Sequence, residues 1–181
     1  MAEQSALEEL LAAIDGLSEE RARVVLGWLE VFRRKGGAQA KGEGESVGTL
    51  GDLLGIVTES RQAGGARMRF TVDPALNNPN GVVHGGVIYT LVDYSMGRAV
   101  QYGLPEGEHC ATIEVKISYL RSVREGTVTV ETEIVKQGRT IAFLTSKVTD
   151  DQDRLIATAS GSMFVFRAEG SRYGGVSDDD F

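Results

Sequence analysis

Apolar residues recur at helical spacing through the first part of the chain. Leu7, Leu10, Leu11 and Ile14 fall at i, i+3, i+4 and i+7, an amphipathic stripe that stops at Asp15 and Gly16. Ser18 offers an N-cap for a second helix with Glu19 and Glu20 in its first turn. That helix carries Val24, Val25, Trp28, Leu29 and Phe32 and closes in Arg33, Arg34 and Lys35. Residues 1–35 therefore predict a helical hairpin extension. Residues 36–46 include Gly36, Gly37, Gly42 and Gly44 with few apolar side chains, which predicts a flexible linker.

From Leu54 the period shortens. Residues 55–60 and 66–72 read as strands joined by a turn at Ala63, Gly64 and Gly65. Residues 85–102 are long enough for a helix and apolar around most of its circumference, as expected of a helix enclosed by other structure. Four more strand-like runs follow, at 111–119, 127–136, 141–149 and 155–166. Their breaks at Arg124-Glu125-Gly126, Gln137-Gly138-Arg139 and residues 150–153 are turn-forming, so the runs predict an antiparallel meander. One buried helix with about six antiparallel strands is an α+β architecture, the sheet wrapped around the helix. Residues 168–181, with three consecutive aspartates near their end, predict a disordered tail.

Composition narrows the partners. A chain of 181 residues that is 41% hydrophobic holds one ordinary domain, placed at residues 47–167, plus appended structure. A net charge of -7 argues against a nucleic-acid binder and confines any anion site to a local patch. No run reaches the roughly 18 apolar residues of a membrane span, and the acidic N-terminus does not read as a secretory signal. A cytoplasmic protein is the expectation. Cys110 is the single cysteine, so no intrachain disulfide forms, and a small buried hydrophobe is its simplest reading. His84 and His109 are not at metal-ligand spacing, so no metal site is expected.

The candidate chemistry lies in Asn78-Pro79-Asn80-Gly81-Val82-Val83-His84-Gly85-Gly86 and in Asp93. Glycines at a helix start leave N–H groups without intrahelical partners and open to a ligand, a place that favours negative charge. Asp93 sits among Val87, Ile88, Leu91, Val92 and Met96, where an ionised carboxylate needs a partner or a purpose. A donor and an acid together suggest acyl chemistry.

These motifs, with Thr112 to Tyr119 (TIEVKISY) and Lys136 to Phe143 (KQGRTIAF), resemble the hotdog-fold acyl-CoA thioesterases. The resemblance is to the phenylacetic-acid-degradation type, related to 4-hydroxybenzoyl-CoA thioesterase, and runs from about Thr49 to Arg167. It implies that the Gly85 N–H polarises a thioester carbonyl and that Asp93 is the nucleophile or general base. Asn78 would position water or the carbonyl, His84 would support the helix entrance, and Thr112 would orient the attacking water. CoA would run along Tyr119, Arg121, Ser122 and Arg124 and along Lys136, Gln137, Gly138, Arg139 and Thr140. No separate cofactor is implied, since CoA is part of the substrate.

Gly85 and Asp93 would stand about 12 Å apart along one straight helix, too far for one thioester to meet both. A site shared between two subunits resolves this, and the resemblance likewise implies a homodimer or a dimer of dimers. Competing readings are a hydratase or dehydratase acting on acyl thioesters and a non-catalytic acyl-CoA sensor. Tyr89, Tyr94 and Met96 could line an aryl pocket or simply belong to the core, and both aryl and medium-chain acyl groups stay open.

Overall fold

A computed structural model describes residues 5–35, 50–62 and 64–167. The proposed linker at 36–46 and tail at 168–181 lie outside the described residues, as does Ala63 of the first turn. The chain divides into two compact units, Met1–Leu53 and Leu54–Phe181.

The first unit contains α1 (Ala6–Ile14) and α2 (Glu19–Lys35). Ser5 caps α1 in a capping box with Glu8, donating its N–H to the Glu8 carboxylate and accepting from the Glu8 N–H. Gly16, at φ 78°, breaks the chain between the helices in a conformation that a side chain disfavours. A short helix, α3 (Leu50–Leu54), spans the boundary between the two units in sequence.

In the second unit β1 (Val57–Gln62) and β2 (Gly65–Thr71) precede α4 (Gly85–Gln101). After it come β3 (Glu108–Tyr119), β4 (Thr127–Gln137), β5 (Ile141–Thr149) and β6 (Leu155–Arg167). All six strands and the helix fall where the periodicity put them. The strand order is β1-β2-β4-β5-β6-β3, every pair antiparallel. The expected simple meander is therefore corrected: β3 lies at the edge beside β6, and β4 beside β2. Residues 120–126 carry the chain past β6 and β5, a crossing of about 14 Å at ordinary strand spacing, well within an extended segment's reach. Val83 N–H donates to the Val123 carbonyl at 2.8 Å and Val72 N–H to that of Gly126 at 2.9 Å, which fastens this crossing beside the start of α4.

The helix packs on one sheet face through Ile88, Leu91, Val92, Met96, Ala99 and Val100. Gly161 of β6 is required here, because a Cβ would stand 2.7 Å from the Met96 sulfur and 2.8 Å from the Glu114 carbonyl oxygen. Ser95 is buried beside these apolar groups, and its hydroxyl accepts from Thr132, which also bonds Ser146. The enclosure expected of α4 is incomplete within one chain. Tyr89 and Arg98 are exposed, and Asp93, Tyr94 and Gly97 are half-buried.

Candidate active site

The chain enters α4 through a tight loop. Asn78 Oδ1 accepts from the Asn80 N–H at 2.9 Å and the Asn78 carbonyl from the Gly81 N–H at 2.9 Å, with Gly81 at φ 68°. Among the described residues the Asn78 side-chain Nδ2 has no hydrogen-bond partner, and Oδ1 keeps one acceptor position. His84 is the N-cap, and its Nδ1 accepts from the Gly86 N–H at 3.1 Å. The His84 carbonyl accepts from the Val87 N–H at 2.9 Å, which fixes the peptide that carries the Gly85 N–H. Among the described residues nothing accepts from that Gly85 N–H. It is an oriented, unused donor.

Tyr119, at the end of β3, completes this helix start. Its hydroxyl donates to the Gly85 carbonyl at 2.8 Å, and its ring lies where a side chain at 85 would go, 3.3 Å from an added Cβ. Burial pushes the Tyr119 hydroxyl pKa up, with neighbouring Tyr89 adding to the effect, so Tyr119 stays a neutral donor. Gly85 and Tyr119 form the wall of a cavity of about 370 Å³ that Arg121, Ser122, Val82 and Ile88 also line. The Tyr119–Gly85 bond joins residues far apart in sequence, and no local pattern signals it.

Asp93 lies two turns further along α4. The Thr112 hydroxyl donates to its Oδ1 at 2.7 Å, a short charge-assisted bond that holds the carboxylate and leaves Oδ2 without a partner among the described residues. The orientation of Thr112 depends on a β-bulge between Thr112 and Glu114. Val115 and Ile117 pack against the core and Tyr119 reaches Gly85, so the odd-numbered residues of β3 face the helix. Regular alternation would turn Thr112 away. The extra residue, exposed Ile113, brings both Thr112 and Tyr119 onto the same face. Cys110 follows Thr112 onto this face and donates to the Gly97 carbonyl at 3.5 Å. Burial, and then the charge of Asp93, push its thiol pKa up, which makes it a poor nucleophile. His109 is half-buried, its ring 6.0 Å from that of Phe166.

Strand register sorts the remaining candidates into two groups. Tyr119 pairs with Ala157, which pairs with Val148 at one end of the sheet. Thr112 pairs with Met163, which pairs with Ala142 beside the β4–β5 turn at the other end. From Ile141 to Val148 the strand advances about 23 Å. Asn78, His84, Gly85, Tyr119, Arg121, Ser122 and Arg124 thus gather at one end. Asp93, Thr112, Lys136, Gln137, Gly138, Arg139 and Thr140 belong to the other, and one chain does not bring the two groups together.

The cations differ in how free they are. Arg124 donates to the Asn80 and Gly81 carbonyls, both at 3.2 Å, and so braces the loop before His84. Arg121, Lys136 and Arg139 are exposed and have no ion pair among the described residues. In the turn, the Gly138 N–H donates to the Ile141 carbonyl and the Thr140 carbonyl accepts from the Val165 N–H, both at 2.8 Å. Among the described residues no group of three or more His, Cys, Asp or Glu side chains is placed to hold a metal ion, and no helix is long and apolar enough to cross a membrane.

Residues 80–157 match the family model described as the thioesterase superfamily. A protein of Saccharolobus solfataricus, named provisionally as an esterase, is 31% identical over 120 residues, covering 66% of this chain and 79% of its own. The chain belongs to the thioesterase superfamily. A 1,4-dihydroxy-2-naphthoyl-CoA hydrolase of Listeria monocytogenes is 25% identical over 116 residues, 64% of this chain and 94% of its own. A crystal structure of a hypothetical thioesterase from Streptococcus pneumoniae with coenzyme A aligns with a TM-score of 0.58 and 27% identity, over 62% of this chain and 86% of that one. The thioesterase fold and the superfamily implied by the sequence motifs are thereby established.

Proposed function

We propose that this protein is an acyl-CoA thioesterase of the phenylacetic-acid-degradation type, with each active site assembled from two chains. The observation that carries the reading is the division of α4 into two half-sites: an unused Gly85 N–H on a cavity wall at one end, and a Thr112-held Asp93 carboxylate toward the other. The Streptococcus relative's coenzyme A and the Listeria relative's CoA thioester substrate support CoA as the leaving group.

The thioester carbonyl accepts from the Gly85 N–H, which stabilises the oxyanion as negative charge develops there. Asp93 Oδ2 either attacks the carbonyl carbon, expelling the CoA thiolate and leaving a mixed anhydride that water hydrolyses, or takes the proton of an attacking water. Either route consumes one water and yields a free acid and CoA. Thr112 keeps the second carboxylate oxygen occupied, so a single oxygen is presented for reaction.

The second chain docks with its β3 antiparallel to this one, since β3 is an uncovered sheet edge and the bare stripe of α4 lies beside it. Pairing that sets Thr112 opposite the partner's Tyr119 brings Asp93 of one chain to Gly85 of the other. It also brings Arg121 and Ser122 of one chain to the Lys136–Thr140 turn of the other, which forms a continuous track for the CoA phosphates. In an acidic protein this local band of cations is where a polyanion is held.

The direct test is thiol release from a panel of aryl and medium-chain acyl-CoAs by wild type and Asp93→Asn. The proposal expects wild-type turnover and a loss of at least about a hundredfold in kcat for the variant. Tight binding without thiol release would identify a sensor. Loss of enoyl absorbance without thiol release would identify a hydratase.

A further inference from the structure

Beyond Asp93, toward the C-terminal end of α4, lies a second pocket of about 270 Å³ lined by Arg61, Arg98, Gln101 and Tyr102. Two arginines from separate elements, β1 and α4, line this small space. Neither has an ion pair or hydrogen bond among the described residues. Arg23, Arg67, Arg69 and Arg154 are each held by carboxylates and Arg124 by two carbonyls, whereas Arg61 and Arg98, like exposed Arg121 and Arg139, have no such partner among the described residues. A chain with 26 acidic residues against 19 basic ones has ample carboxylates to neutralise this pair, yet among the described residues both line one cavity without an ion pair. Two like charges beside one pocket repel, and an anion between them converts that cost into charge-assisted hydrogen bonds. Gln101 is fixed by the bond from its Nε2 to the Glu108 carbonyl at 2.9 Å, and Tyr102 adds a hydroxyl at the rim.

The stripe between Asp93 and this pocket carries no side chain at its middle position. Gly97 lies one turn beyond Asp93 and one turn before Gln101, so the three share a helix stripe. A Cβ added at Gly97 meets nothing within 4 Å. An acyl chain whose carbonyl is held at Asp93 can therefore lie across Gly97 with its far end between the two arginines. Arg98 is only about 7.5 Å further along the axis than Asp93, which suits a short chain.

We infer that the Arg61–Arg98 pocket reads a carboxylate at the far end of the acyl group, so that the preferred substrates are CoA thioesters of short dicarboxylic acids. This inference rests on the thioesterase reading and names the substrate class of that same site.

The test measures thiol release from glutaryl-CoA and adipyl-CoA against their neutral counterparts pentanoyl-CoA and hexanoyl-CoA. Wild type favours the dicarboxylic member of each pair in kcat/KM. Arg98→Ala and Arg61→Ala each lower the ratio of dicarboxylic to neutral kcat/KM by at least about tenfold, the loss expected for a hydrogen bond to a charged group. Arg98→Lys, which keeps the charge but not the two-pronged geometry, falls between. Hydrolysis that favours the neutral members, or a ratio unmoved in both alanine variants, overturns this inference and leaves the thioesterase reading standing. No thiol release by wild type from these four or from the aryl and medium-chain panel overturns both, whereas release from that panel alone overturns this inference and leaves the thioesterase reading standing.

Discussion

Tyr119 donates its hydroxyl to the Gly85 carbonyl at 2.8 Å and packs its ring where a residue-85 side chain would otherwise project. The same carbonyl belongs to the peptide whose N–H, on Gly86, is accepted by His84 Nδ1. One peptide plane is thus gripped from both sides, and the neighbouring Gly85 N–H inherits its direction.

Tyr119→Phe removes the hydroxyl but keeps the ring. Tyr119 acts through Gly85 as a positioning residue, so kcat falls roughly threefold to tenfold, the size of one hydrogen bond, while KM changes little. Steady-state kinetics across acyl-CoA concentration separate this from a role in gripping CoA, which would raise KM and spare kcat.

Thr112→Val keeps the shape of the side chain and loses the bond to Asp93 Oδ1. The carboxylate then has no fixed rotamer, and kcat falls by about tenfold or more, the range for hydrogen bonds to charged groups. Thr112→Ser retains a hydroxyl and most of the activity. Deleting Ile113 removes the bulge, turns Thr112 off the helix face, and lowers kcat at least as far as Thr112→Val does.

How much of this was legible in the sequence depends on what alternation encodes. A period of two marks which face a strand residue takes, so six strands and one helix could be read, but it says nothing about which strand lies next to which. The placement of β3 beside β6 was therefore invisible. Alternation also misleads at Thr112, which is in phase with the polar Glu114, Lys116 and Ser118 and would point away from α4 in a regular strand. The bulge overrides that phase, and one inserted residue leaves no compositional mark. His84, Gly85 and Asp93 were legible because a helix start and a lone acid on an apolar helix are local features. Arg124 reads in the sequence as one of the CoA-binding cations, whereas in the fold it also braces a loop more than forty residues earlier through two carbonyls. The distance between Gly85 and Asp93 along α4 follows from helix rise alone, and strand register divides the CoA-binding candidates between the same two ends.

The β5–β6 turn carries a pH-dependent element of stability. Asp150 Oδ1 accepts from the Gln152 and Arg154 N–H groups at 3.0 and 2.9 Å, and Oδ2 from Arg154 Nε at 2.7 Å. Burial pushes its carboxyl upward, but the Arg154 guanidinium and these N–H groups outweigh that and hold it below its ordinary value. A lowered native pKa means that the ionised form stabilises the fold above the unfolded value of about 3.9, and that this is lost as pH falls through the native value. Asp150→Asn should lower the melting temperature at pH 7 and differ progressively less from wild type below about pH 4. Melting curves across pH check this, and a gap that widens on acidification would contradict it.

In the proposed dimer Gly85 and Asp93 act across a subunit boundary. Gly85→Pro deletes the N–H at the first helical position, where the proline backbone is tolerated and His84 already has the extended conformation required before it, at φ -62° and ψ 132°, and the proline ring also presses on Tyr119, which stands 3.3 Å from an added Cβ. Gly85→Pro and Asp93→Asn are each expected to be nearly inactive, by about a hundredfold or more. After subunit exchange between equal amounts of the two, half the dimers are hybrids, each with one intact site and one doubly altered site, so thiol release should recover to about a quarter of the wild-type rate. Recovery to that level is the predicted result. No recovery, with exchange verified by mass-tagged chains, would contradict a shared active site.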